Sequence, residues 1–448
     1  MSQTTVVVGG DAAGMSAASK LKREDPDAEV IVFEKGQWVS YAACGTPYYV
    51  KGVIDDVEDL VAVEPETFVE ERDIDLRLGH EVVAIDTEAE TVTVDGAGER
   101  FEQSYDDLLV ATGAHAVEPP FEGFGLDGVF TLHGLDAAER IRAFVETESV
   151  DSVGVVGGGY VGIEMVEAFH ARGFDVHLFE MLPHVLPPFG ETVAEAVEGE
   201  LDSKGVTLHL DTAVERFEGG DRVERVVADG ASVSVDAVLV GVGVAPTVEL
   251  AEEAGIETGE TGAIAVDEYG RTNVENVYAA GDCAEAEHVV TGEPAHVPLA
   301  LTANRSGRAI GQTLAGEPTP VSKTAGTAAV KALDLDAART GILDESEARE
   351  AGFDPVSATI TAPTRAHYYP GGEEITITLV ADRTSERVLG AAMVGGEGVA
   401  KRVDTVATAL SGGMTVDEVE ELDLSYAPPF SPTWDPVLTA AKVLASKL

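Results

Sequence analysis

Cysteine is almost missing from this chain: Cys44 and Cys283 are the two in 448 residues. Two thiols so far apart build neither a disulfide framework nor a zinc site, and such a chain suits a reducing compartment. Basic residues are scarce as well, 29 Lys and Arg against 81 Asp and Glu, for a formal charge of −52 spread along the whole chain. A surface of that sign repels nucleic acid and anionic membranes, so neither is an expected partner. It suits molar salt, where screening removes the self-repulsion that would loosen such a protein in dilute buffer. Long hydrophobic runs are lacking too, none approaching the roughly 18 residues of a membrane span. Residues 1–8 run straight into a strand with no charged and apolar leader, so a cytoplasmic protein is expected. The ten histidines show no metal-ligand spacing. What remains is 44% hydrophobic and regularly patterned, a folded chain with room for about three domains.

Thr4-Thr5-Val6-Val7-Val8 reads as a buried parallel strand, and Gly9-Gly10-Asp11-Ala12-Ala13-Gly14 turns into a helix of small residues, Met15 to Lys22. This is a dinucleotide-binding opening: glycines admit the pyrophosphate and the helix start offers it free N–H groups. Asp11 replaces the middle glycine, which weakens the motif, while Glu34 at the end of the next strand restores it as an acid for ribose hydroxyls. A second unit starts at Asp151 and keeps all three fingerprint glycines, Gly157, Gly159 and Gly162, with Glu180 in the ribose place. An acid there favours NADH over NADPH, since Met181 supplies no cation for a 2′-phosphate. Two fingerprints imply two dinucleotides; with NADH as one, FAD is the economical choice for the other.

Between the two units, Glu81 to Val94 alternates as antiparallel strands, and Tyr105 to Gly113 reads as a strand and tight turn that includes Ala111 and Thr112. Gly243 lies in the return from the second unit, and a later strand ends in Gly281-Asp282, where a carboxylate can take a flavin ribityl hydroxyl or cap a helix. The last third changes character: Ser357 to Thr361, Glu374 to Ala381 and Arg387 to Val394 read as an antiparallel sheet, followed by helices at about Gly398 to Leu410 and Asp435 to Ser446. Residues 316–320, holding Gly316, Pro318 and Pro320, mark the boundary before it.

Cys44 lies in Ser40-Tyr41-Ala42-Ala43-Cys44-Gly45-Thr46-Pro47-Tyr48-Tyr49, directly after the strand that ends in Glu34. A thiol at a helix start or beside a flavin can have its pKa lowered towards neutrality. Position five after it is Tyr49, so no second cysteine resolves the first. Cys44 must form its disulfide with a substrate thiol or oxidise to a sulfenic acid. A buried cysteine without chemistry is the competing reading. Cys283, in the turn after Asp282, is expected to be structural.

These stretches, with Pro298-Leu299, Ala303-Asn304-Arg305, His367 to Gly371 and Tyr426 to Ser431, resemble the FAD-dependent pyridine nucleotide-disulfide oxidoreductase superfamily over essentially the whole chain. The match is to its branch with a single active cysteine, which holds coenzyme A-disulfide reductases, NADH oxidases and peroxidases, and persulfide reductases. The acidic composition resembles haloarchaeal members.

The resemblance implies an α/β fold with two Rossmann-like domains and a C-terminal α+β dimerisation domain: residues 1–118 and 246–318 for FAD, 119–245 for NAD(P)H, and 319–448 for the interface of a homodimer. It implies that Gly9, Gly10, Ala12, Ala13, Gly14, Glu34, Lys35, Ala111, Thr112, Gly113, Gly281, Asp282, Pro298 and Ala300 hold FAD. Gly157, Gly159, Tyr160, Gly162, Glu180 and Gly243 would hold NADH, NADPH remaining open, with Tyr160 as the aromatic that covers the flavin until nicotinamide displaces it.

Coenzyme A disulfide is the substrate that the resemblance implies, reduced through a mixed disulfide on Cys44, with Ser16, Lys20, Arg23, Ser40 and Asn304 as contacts. Tyr426 and one of Tyr368 and Tyr369 would reach the partner subunit's site. The sequence departs from the family at Ala43, commonly Asn, and at Ala12, where oxidases and peroxidases carry a histidine. The latter argues against efficient peroxide chemistry. An NADH oxidase, a persulfide or polysulfide reductase, a flavin redox sensor and a carrier-protein electron-transfer reductase remain the alternatives. No rhodanese-like extension follows Leu448, which removes one expectation of persulfide chemistry.

Overall fold

The computed structural model describes residues 3–448. Thr4–Val8 is buried along nearly its whole length and forms the centre of a five-stranded parallel sheet, in the order Val277–Ala279, Asp107–Val110, Thr4–Val8, Glu29–Glu34, Asp75–Leu78. Its valines read as one apolar run because both faces are covered. The second sheet repeats the plan in the order Thr207–His209, Asp175–Phe179, Ser152–Val156, Ala237–Val240, Val129–Thr131, again all parallel. In each sheet the fingerprint strand is central, with the acid-bearing strand on one side and the return strand on the other. A crevice at the carboxyl ends of the strands follows from that order.

The chain passes between the two units twice. At the crossing Ala114–Ala116 pairs antiparallel with Val244–Pro246, so the domain limits that we propose, near 118 and 246, fall beside each other. Each unit carries a small antiparallel sheet, His80–Asp86 with Thr91–Gly96 and Glu99–Ser104 in the first, and Val214–Gly219 with Val223–Ala228 and Ala231–Ser234 in the second.

The C-terminal sheet has five antiparallel strands in the order Ala328–Ala332, Leu335–Gly341, Val388–Gly395, Glu374–Asp382, Pro355–Pro363. The helices Val399–Gly412 and Pro436–Ala445 pack on it through Val403, Val406, Leu410, Val437 and Leu444, all essentially inaccessible. The three longer strands and both helices lie where the hydrophobic pattern puts them. Among the described residues no helix is long and apolar enough to cross a membrane, and no group of three or more His, Cys, Asp or Glu is placed to hold a metal.

Candidate active site

The two fingerprint loops are built alike. Gly9 has φ +109° and an added Cβ would lie 2.1 Å from the Ala111 carbonyl; Gly157 has φ +102° and its Cβ would lie 2.4 Å from the Gly241 carbonyl. The third glycines pack helix against strand: a Cβ on Gly14 would meet the Gly9 carbonyl at 2.0 Å, and one on Gly162 the Gly157 carbonyl at 1.9 Å. Only glycine fits these places. The helices Ala12–Glu24 and Tyr160–Ala171 carry no side-chain cap, so their first-turn N–H groups are free for an anion.

The two acids are also equivalent. Glu34 accepts the Gly10 N–H at 2.8 Å and the Gly36 N–H at 2.6 Å; Glu180 accepts the Gly158 N–H at 2.7 Å and the Leu182 N–H at 2.9 Å. Each carboxylate is fixed by its own loop and keeps lone pairs for ribose hydroxyls. Met181 is 70% exposed and Leu182 43%, so no cation stands beside Glu180 in the sequence positions that follow it.

One cavity of about 2010 Å³ joins both loops to Cys44. Of the residues singled out by sequence, Glu34, Lys35, Ala111, Thr112, Gly113, Asp282, Pro298 and Ala300 line it on the side of the first unit. Gly157, Gly159, Tyr160, Glu180 and Gly243 line it on the side of the second. Gly10, Ala13, Gly14 and Gly162 are buried behind the wall, with Gly9, Ala12 and Gly281 partly covered. Burial raises the Asp282 carboxyl, opposed in part by His296. This carboxylate makes no hydrogen bond to a described residue, which leaves it free for a ligand hydroxyl. A Cβ on Gly159 would meet nothing within 4 Å, so the space beside this loop is open. Free amides, two fixed acids, an unpartnered Asp282 and the open space at Gly159 fit two dinucleotides.

Cys44 sits in the turn Ala43–Gly45, exposed to this cavity, and leads into the helix Thr46–Lys51 with Pro47 in its first turn. A Cβ on Gly45 would lie 2.1 Å from Leu60 Cδ2, so a larger residue there would force the Leu60 side chain to shift. The lowered thiol pKa expected at a helix start is not what the protein supplies. Burial, then the charges of Glu164 and Asp282, push the Cys44 thiol up. No cation is among the causes of that shift, and the helix after Cys44 has six residues. Tyr49 lies under Arg142, 4.4 Å from guanidinium to ring centroid, and packs between units. Cys283 is buried, with Sγ 3.3 Å from the Ala280 carbonyl, as a structural thiol should be.

Glu164 stands on the helix Tyr160–Ala171. It lines the cavity, and burial pushes its carboxyl up to about 7. Tyr48 Oη donates to its Oε1 at 3.4 Å. Tyr160 is partly buried on the same wall, its ring 5.3 Å from that of Phe189.

The proposed substrate contacts gather outside the cavity, on the packed helices Ala12–Glu24 and Ala300–Leu314. Ser16 Oγ donates to Asn304 Oδ1 at 2.6 Å. Lys20 pairs with Glu24, whose carboxyl is lowered by Lys20 first and also by Arg23 and Arg308. Arg72 Nη1 donates to Ser19 Oγ at 2.8 Å on the same helix. Arg72 and Arg308 are cations that motif reading misses, since tertiary packing alone brings them here. Ser40 forms the corner before Cys44 with φ +49°.

Tyr368, Tyr369 and Tyr426 do not line the cavity of their own chain. They are 69%, 38% and 62% exposed, beside Phe430 at 78% and Trp434 at 57%. Arg402 holds the two segments as one surface, donating to the carbonyls of Thr364 at 3.1 Å and Phe430 at 3.3 Å.

This geometry is that of a flavin- and nicotinamide-linked sulfur oxidoreductase. The chain belongs to the pyridine nucleotide-disulphide oxidoreductase family, whose model matches residues 3–306, while the model of that family's dimerisation domain matches residues 327–436. It is an oxidoreductase that uses FAD and NAD(P)H. It is 42% identical over 445 residues to a NAD(P)H coenzyme A polysulfide/persulfide reductase of Pyrococcus horikoshii, covering 99% of each chain. It is 32% identical over 431 residues to a coenzyme A disulfide reductase of Staphylococcus haemolyticus, covering 95% of this chain and 96% of the other. The solved NAD-dependent persulfide reductase from A. fulgidus superposes with a TM-score of 0.96 at 41% identity, over 99% of this chain and 83% of that one.

Proposed function

We propose that this protein is a homodimeric NADH-dependent reductase of coenzyme A disulfide that works through a mixed disulfide on Cys44. The single observation that carries the reading is the placement of one thiol, with no second cysteine in reach, in the cavity that joins both dinucleotide loops. FAD, when bound along the Gly9 to Gly14 loop, Glu34 and Asp282, supplies the two-electron relay between nicotinamide and sulfur. The Gly157 loop and Glu180 take NADH, whose 2′-hydroxyl suits a carboxylate that a 2′-phosphate would not.

Cys44 as thiolate attacks one sulfur of the disulfide, forming Cys44–S–S–CoA and expelling one CoA thiolate. Two electrons from NADH then cleave that bond, returning the Cys44 thiolate and releasing the second CoA thiol. With one added proton the sum is one NADH oxidised for two CoA thiols. Ser16, Lys20, Arg23, Ser40 and Asn304, joined by Arg72 and Arg308, are the proposed contacts for the coenzyme A moiety, cations suited to phosphate in a chain that has few. Tyr426 and Tyr368 or Tyr369 are proposed to serve the partner subunit's site, where a phenol can donate to the leaving sulfur. Their exposure together with Phe430 and Trp434 supports burial against a second copy of the chain.

A second reading, reduction of a coenzyme A persulfide or polysulfide at the same Cys44, is favoured by the 42% identical P. horikoshii relative. That relative is matched over 99% of its length, so its named activity needs no domain beyond the matched span. NADH oxidation in molar KCl, run anaerobically with CoA disulfide or CoA persulfide and separately with oxygen as the acceptor, tests both. Disulfide-dependent turnover that vanishes in Cys44→Ser is expected. Turnover with persulfide alone selects the second reading, and turnover with oxygen alone overturns both.

A further inference from the structure

The middle glycine of the fingerprint is kept in the second loop as Gly159 and replaced in the first by Asp11. The carboxylate of Asp11 makes no side-chain capping hydrogen bond, although the adjacent Ala12 N–H helps to stabilise its charge. Its Oδ1 instead accepts the Tyr41 N–H at 3.2 Å, while the neighbouring Ser40 N–H donates to the Gly10 carbonyl at 3.2 Å. On its other side the same segment is tied by Ala42 N–H to the Leu60 carbonyl and by Ala62 N–H to the Ser40 carbonyl, both at 2.8 Å. The corner so clamped contains Ser40 at φ +49°, a conformation that a serine keeps only where its surroundings over-determine it. Four residues after Ser40 lies Cys44.

Among the described residues Asp11 has no cation partner that would explain an acid here. Burial, with Glu34 and Asp282 nearby, raises its carboxyl to about 6, an arrangement that works against the folded state at neutral pH. The bond from the Tyr41 N–H is the largest of the interactions that offset this. A glycine at position 11 would leave the Tyr41 N–H without its partner and the Ser40 corner held from one side only.

We propose that Asp11 is a positioning residue for Cys44: its carboxylate locks the corner at Ser40 and Tyr41 to the first dinucleotide loop and so sets where the sulfur stands relative to that loop. The inference rests on the reading that Cys44 is the working thiol, and the test separates the two. Asp11→Asn keeps the acceptor oxygen without the charge, and Asp11→Gly restores the fingerprint without the acceptor. Both are compared as holoenzymes with wild type and Cys44→Ser. FAD content, the rate of flavin reduction by NADH, the rate of flavin reoxidation by CoA disulfide, and, at a pH high enough to ionise the raised Cys44 thiol, the long-wavelength absorbance of its thiolate donating into oxidised flavin are read for each.

The expected result is unchanged FAD content and unchanged reduction by NADH in both Asp11 variants. Asp11→Gly loses about tenfold or more in reoxidation, as misplacement by a fraction of an ångström would give, together with the long-wavelength band. Asp11→Asn stays near wild type in both. Wild-type behaviour in Asp11→Gly overturns the proposal, as does an Asp11→Asn as impaired as Asp11→Gly. Loss of FAD from Asp11→Gly also overturns it, assigning Asp11 to the dinucleotide instead. Full reoxidation in Cys44→Ser would sink the reading of Cys44, an outcome visible apart from the Asp11 series.

Discussion

Replacing Glu164 by glutamine tests how the site treats charge. Burial is the first cause that lifts its carboxyl from the ordinary 4.5 to about 7, with the Tyr48 hydrogen bond opposing and Glu167 adding. A folded-state pKa above the unfolded value means that the folded chain holds this proton more tightly. The stabilisation is complete below about pH 4.5 and is lost as pH rises towards 7. At about 1.4 kcal/mol per pKa unit, that interval corresponds to at most about 3 kcal/mol. Glutamine keeps a partner for Tyr48 and carries no charge. Glu164→Gln should therefore be more stable than wild type by up to about 3 kcal/mol above pH 7 and nearly equal to it near pH 4.5. Urea unfolding in molar KCl, followed at several pH values across this window, measures the difference. The Glu164 charge also stands behind burial among the causes that raise the Cys44 thiol, so the midpoint of Cys44 alkylation by iodoacetamide should move to lower pH. A stability difference that does not grow between about pH 5 and pH 8, or a variant weaker than wild type at the upper end, would refute the reasoning.

Gly162→Ala places a Cβ 1.9 Å from the Gly157 carbonyl; we expect KM for NADH to rise about tenfold or more with FAD content intact, since the distortion is confined to the second loop. Lys20→Ala combined with Arg308→Ala should raise KM for CoA disulfide by about tenfold, the worth of a charge-assisted contact to phosphate, while flavin reduction by NADH is unchanged. Thr415 accepts the Glu418 N–H and Glu418 returns a bond to the Thr415 N–H, a complete capping box. Thr415→Ala should lower stability by about 1 kcal/mol in urea unfolding without altering turnover.

The parts of this protein that were readable in the sequence are those whose physics is local. Gly9, Gly14, Gly157 and Gly162 occupy loops where a side chain collides with backbone, and each loop is followed by its own helix and acid within one supersecondary unit. Glu34 and Glu180 could be placed because their partners are backbone amides of those same units. The hairpin of Ala328–Ala332 and Leu335–Gly341 is harder to see. Its alanines and aspartates have low strand preference, and it pairs because Leu335–Gly341 finds Val388–Gly395 far along the chain. Glu164 reads as an ordinary helix acid until the helix Tyr160–Ala171 packs beside Thr46–Lys51 and brings Tyr48 to it. The Ser16 and Asn304 bond joins residues 288 positions apart, a distance over which no pattern speaks. Asp11 was legible only as a flaw in a motif, because its partner, the Tyr41 N–H, belongs to the next loop.

The central claim is that Cys44 carries coenzyme A as a mixed disulfide during turnover. Intact-mass and peptide mass spectrometry of the enzyme after exposure to CoA disulfide, and again after anaerobic addition of NADH, addresses it directly. The account predicts one coenzyme A adduct per chain, located on the peptide holding Cys44 and removed by NADH. An enzyme that turns over CoA disulfide with Cys44 unmodified, or an adduct that NADH leaves in place, would contradict it.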